Sequence, residues 1–117
     1  MNATPPPNPQ AYVTKDESLI RELLHPNDIP GLGMSLAEAV VEAGARTAAH
    51  RHPGFDEIYY GLEGEGTLHI DGQPHAFSPH RYYLLPRGAL HWLQADTHLR
   101  LLCICCPGYT HEGTMLE

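Results

Sequence analysis

The chain has 117 residues and a formal net charge of −7 with its histidines neutral. That length is one domain and is enough to bury a core, although a partner subunit would help. Seven basic residues against fourteen acidic ones exclude a nucleic-acid binder, which needs clustered Lys and Arg. No apolar run approaches the roughly 20 residues of a membrane helix.

In chain order, Met1 to Gln10 carries four prolines and little apolar character. Residues 1–14 are read as a Pro-rich arm, 15–106 as the folded barrel and 107–117 as a tail. The arm start lacks the basic flank and apolar stretch of a signal peptide, so a cytoplasmic protein is expected. Between Lys15 and Leu24, Leu19, Ile20, Leu23 and Leu24 have helical spacing, but the stretch is short and stops at Pro26. A strand is expected there, because everything downstream reads as β. Glycines and prolines then cut the chain into short pieces. The strands expected between them are Ser35 to Glu42, Arg46 to Arg51, Glu57 to Leu62, Thr67 to Asp71, His75 to Phe77, Tyr82 to Leu85, His91 to Ala95 and His98 to Cys106. Asp71-Gly72 is a hairpin turn signal. This pattern predicts an all-β antiparallel sandwich or small barrel.

The chemistry concentrates in His50-Arg51-His52, Glu57 and His91. Residues two apart on a strand share a face, so His50 and His52 project together. Pro53-Gly54 turns the chain and brings Glu57 beside them. His91, placed by the Pro86-x-Gly88 turn, is expected to cross the barrel to join them. Three imidazoles and one carboxylate suit one divalent transition metal: Fe, Mn, Ni, Co or Zn. Taken singly, each residue has a plainer use: a histidine pair by chance, a solvated carboxylate, a hydrogen-bonded histidine. The joint spacing carries the argument.

Gly44-x5-His50-x-His52-x4-Glu57-x6-Gly64 resembles the first motif of the cupin superfamily, and Pro86-x-Gly88-x2-His91 resembles the core of the second. The resemblance covers Leu36 to Cys106 and is that of a small single-domain bacterial cupin. It implies a double-stranded β-helix (jelly-roll) barrel with the metal inside its mouth. Two positions depart from the family pattern: His80 stands where glycine is usual, and Ala95 where asparagine is usual. Neither removes a ligand.

Strand parity nominates neighbours. Arg46 shares a face with His50 and would meet a substrate oxyanion, unless it is a solvated arginine. Tyr59 shares a face with Glu57 and would offer its hydroxyl near the metal, unless it only packs. Trp92 faces away from His91. Cys103 and Cys105 face inward, as small hydrophobes or as partners of the metal. Three crowded cysteines form no disulfide framework. The tail either folds over the barrel mouth or extends. Two functions fit. One is a metal-dependent enzyme of dioxygenase, isomerase or lyase type acting on a small anionic molecule. The other is a non-catalytic module that binds a sugar or organic acid. The exposed edge strands and the arm suit a homodimer.

Overall fold

The computed structural model describes residues 10–117. Within them the chain forms strands β1 (Ala11–Val13), β2 (Leu19–Leu24), β3 (Ser35–Val41), β4 (His50–Arg51), β5 (Asp56–Glu63), β6 (Gly66–Ile70), β7 (Gln73–Phe77), β8 (Tyr82–Leu85), β9 (His91–Ala95), β10 (Leu99–Cys106) and β11 (Met115–Leu116). One sheet runs β1-β2-β3-β10-β5-β8 and the other β11-β4-β9-β6-β7. From β3 onward each connection carries the chain to the other sheet, except at the β6–β7 hairpin. That alternation, with antiparallel pairing throughout, is the double-stranded β-helix. The prolines Pro5, Pro6, Pro7 and Pro9 lie outside the described residues. Among the described residues no helix is long and apolar enough to cross a membrane.

Alternation of side chains builds the interior. Residues of β3 and β10 are buried at every second position. This turns Ala37, Ala39 and Val41, and Leu99, Leu101 and Cys103, toward Leu68, Phe77, Leu85 and Leu93. Burial of this shared apolar surface drives the two sheets together. At the β6–β7 turn, Asp71 and Gly72 have φ of 47° and 81°, the paired positive values of the tight hairpin their sequence predicts. His80, in the glycine position of the family pattern, keeps a left-handed φ of 69° in the turn before β8. Its ring meets the Tyr60 hydroxyl at 3.1 Å.

Two stretches differ from expectation. Residues 15–17 form a turn, and the strand starts only at Leu19. The strand expected over Arg46 to Arg51 is confined to His50 and Arg51, with a single bridge from Arg46 to Gln94. The cause is local. Thr47 turns inward and bonds Leu93 through both its backbone and its hydroxyl, at 2.9 Å each. The Ala48 amide then donates to Asp16 O at 2.7 Å instead of continuing the ladder. Face parity counted back from His50 therefore fails before it reaches Arg46.

Candidate metal centre

The neighbouring strands β4 and β9 place His50 directly opposite His91, their ring centroids 4.1 Å apart. His91 thus does not cross the barrel. Glu57 does, coming from β5 in the facing sheet. His52 follows β4, its ring 4.9 Å from that of His50 and 5.3 Å from that of His91. One ring nitrogen from each histidine lies within 4.8 Å of the others, and all three residues are buried. Glu57 Oε1 stands 3.3 Å from His52 Nε2 and 3.5 Å from His91 Nε2.

Each ring is oriented from behind. His50 Nδ1 donates to Ala48 O at 2.7 Å and His91 Nδ1 to Ala89 O at 3.0 Å. The Thr114 hydroxyl gives its proton to Thr110 O at 3.1 Å, so it accepts from His52 Nδ1, also at 3.1 Å. With all three Nδ1 protonated, the three Nε2 atoms present bare lone pairs to one space. Phe55 stacks on His52 at 4.5 Å and holds that ring flat. Glu57 is fixed from its other oxygen, where the Cys105 thiol donates to Oε2 at 3.3 Å.

The electrostatics agree with this arrangement. Burial, then the neighbouring His91, lower the His50 pKa to about 4, so the ring is neutral near pH 7. Burial pushes the Glu57 carboxyl up, and the facing rings of His52 and His91 lower it only as proton donors or imidazolium ions, a part that falls to a cation when both Nε2 atoms are bare. Burial first, and then Glu57, hold the Tyr59 phenol and the Cys103 and Cys105 thiols protonated by pushing all three up. Glu57 Oε1 and His91 Nε2 are buried without a hydrogen-bond partner. Such orphans each cost about 1–3 kcal/mol. A carboxylate beside bare ring nitrogens is repulsive unless a cation sits among them. The donor set therefore fits a divalent transition metal.

Of the two other residues singled out in the sequence, Tyr59 reaches the site. It is buried, lines the cavity and lies edge-on to His91 at 5.8 Å. Arg46 does not. Its guanidinium lies 3.9 Å over the ring of Trp92, which also carries His69 stacked at 3.7 Å. Trp92 is thus held within one sheet's outer surface. Sequence spacing missed Asp16, Tyr109 and Thr114, all of which line the cavity. They come from the two ends of the chain, which are joined by the 96- and 99-residue reach of Lys15 Nζ to His111 O and Thr114 O and by the edge contact of the Tyr12 and His111 rings. Cys103 and Cys105 also line the cavity, as their parity predicts.

A two-sheet β-barrel with a buried three-histidine centre in its cavity is the class that fold and site define. The chain belongs to the cupin family: the model described as "Cupin domain" matches residues 37–105. It is similar to an uncharacterized protein of Methanocaldococcus jannaschii, 41% identical over 105 residues that make up 88% of this chain and 84% of that one. It is also similar to L-ectoine synthase of Mycolicibacterium vanbaalenii, 32% identical over 68% of this chain but only 62% of the synthase. Among solved structures, ectoine synthase from P. lautus superposes with a TM-score of 0.75 at 26% identity, covering 94% of this chain and 80% of that one. The polyketide cyclase RemF from Streptomyces resistomycificus shares the fold, with a TM-score of 0.73 at 23% identity over 91% of this chain and 79% of its own.

Proposed function

We propose that the chain is a metal-dependent enzyme acting on a small molecule, with His50, His52, Glu57 and His91 as the metal ligands. The observation that carries this reading is the pair of buried orphans, Glu57 Oε1 and His91 Nε2, facing a space that two more bare Nε2 atoms share. A bound metal would supply a Lewis acid or an oxygen-binding centre. Four protein donors leave positions for water or substrate on an octahedral ion. Tyr59, kept protonated and lining the cavity, would donate a hydrogen bond to a substrate oxygen. The apolar wall of Ala37, Ala39, Leu93 and Leu101 excludes water on the inner side.

Among the described residues the cavity lining holds no Lys or Arg, since Arg46 lies outside. An oxyanion of the substrate would therefore bind the metal itself. Dioxygenase, isomerase and lyase types remain open on one fold, and the named synthase and cyclase relatives add ring-forming or condensing chemistry. Metal-loaded protein challenged with a panel of small carboxylates should turn over at least one, and His50→Ala should abolish that turnover. Ligand-induced stabilisation with no turnover of any member would favour the alternative, a non-catalytic binding module.

The Cys105 thiol acts on the metal through Glu57. Cys105→Ala should weaken metal affinity by roughly 10-fold, the lower end of the cost of losing an outer partner. Competition with a chelator measures it, and an unchanged affinity would remove the thiol from the account.

The homodimer has support on the outer face of the six-stranded sheet. Leu36, Ile104, Ile58 and Leu84 lie in one cross-strand row, with Tyr82 stacked on Tyr60 beside it. Ile58, Leu84 and Tyr82 are exposed. Light scattering should give the mass of two chains, and Ile58→Glu should halve it. The buried reduced thiols suit a cytoplasmic setting.

A further inference from the structure

Besides Glu57, the cavity lining carries the carboxylates of Asp16 and Glu22. Asp16 sits in the turn before β2, is 8% exposed, and is flanked by the equally buried Thr14 and Ser18. Its Oδ1 accepts from the Thr14 hydroxyl, from the Ser18 hydroxyl at 2.6 Å and from the Ser18 amide at 3.0 Å. Its backbone carbonyl is tied to Ala48, two residues from His50. The carboxylate is therefore fixed, and Oδ2 is left 3.4 Å from His50 Nε2. No hydrogen-bond donor among the described residues meets Oδ2. His50 cannot be one, because its proton is committed to Ala48 O.

Among the described residues no Lys or Arg reaches this group, and its nearest nitrogen is His50 Nε2 at 3.4 Å. The chain's one lysine, Lys15, is committed to His111 O and Thr114 O. With Glu22 and Glu57 the lining holds three carboxylates, and among the described residues no Lys or Arg joins them. A locked, buried carboxylate oxygen in a cavity whose described lining has histidines but no Lys or Arg favours a ligand bearing positive charge.

We propose that Asp16 is a substrate-recognition residue: the cavity takes a small molecule that sets an oxygen donor on the metal and a protonated amine against Asp16 Oδ2. This rests on the metal-centre reading and narrows its substrate class from small anions to amino-bearing acids. The rigid turn presents Oδ2 without further ordering, so the charged hydrogen bond is strong and directional.

The test uses metal-loaded protein and matched probes: 4-aminobutanoate, 4-hydroxybutanoate and succinate, with calorimetry as the readout. The wild type should bind the amine tighter than the other two by roughly 10- to 100-fold, the scale of one hydrogen bond to a charged group. Asp16→Asn keeps an oxygen for the three local donors and should erase that preference while retaining the metal. Equal binding of hydroxyl or dicarboxylate probes to the wild type would overturn the proposal, as would failure of the amine to bind. A preference that survives in Asp16→Asn would do the same. Loss of the metal in Asp16→Asn would make Asp16 a ligand instead, and so overturn it too. A wild type that takes up no metal would overturn the metal-centre reading and this proposal with it, whereas metal uptake without the amine preference would overturn this proposal alone. The probe ranking on wild type stands even if the variant misfolds.

Discussion

His91→Ala should take metal uptake from about one ion per chain to near none. His91 is 1% exposed, directly opposite His50, and its Nε2 is one of the two buried orphans. Losing an outer partner of a metal ligand typically costs 10- to 100-fold in affinity, and losing a donor should cost more. The stability signature is specific. Without metal, the substitution removes an unsatisfied nitrogen and should cost little beyond the cavity it leaves. With metal, the wild type should gain about 4 kcal/mol at a thousandfold excess over its dissociation constant, and the variant none of it. Elemental analysis after dialysis, paired with thermal melts with and without the metal, measures both. Full stoichiometry in the variant would mean that the ring only packs.

Gly64→Ala should be among the most destabilising single changes in the chain. Gly64 follows β5 with a φ of 82°, and a Cβ there would lie 2.0 Å from the backbone oxygen of His98. Left-handed backbone alone costs an ordinary residue about 1–2 kcal/mol. A backbone atom in the way cannot swing aside as a side chain can, so the total should exceed roughly 4 kcal/mol. Gly44 is the control. It has the same φ of 82° but open space around the missing Cβ, so Gly44→Ala should show the backbone cost only. Urea denaturation at unchanged slope reads the difference. Equal costs at the two positions would show that the contact with His98 relaxes.

Local rules were enough for most of the fold. The Asp71-Gly72 turn, the strand ends at Tyr82–Leu85 and His91–Ala95, and the inward parity of Cys103 and Cys105 all follow from spacing of two and from turn residues. The convergence of His50, His52, Glu57 and His91 was legible only because their spacing resembles a family pattern. Spacing alone sent His91 across the barrel, whereas strand order makes it the neighbour of His50. The shared face of Arg46 and His50 fails, and the solvated alternative stands, because Thr47 and Ala48 leave the ladder to bond Leu93 and Asp16, which breaks the alternation. Asp16, Tyr109 and Thr114 carried no signal at all. Their position depends on the chain's two ends meeting over the cavity, and no short-range pattern encodes a contact that distant.

The central claim is that four side chains hold one divalent ion between the sheets. Anomalous diffraction from crystals equilibrated with manganese or zinc tests it most directly. The account predicts a single strong peak within about 2.0–2.2 Å of the Nε2 atoms of His50, His52 and His91 and of a Glu57 carboxylate oxygen. Density that places the ion elsewhere, or none among those atoms at saturating metal, would contradict it.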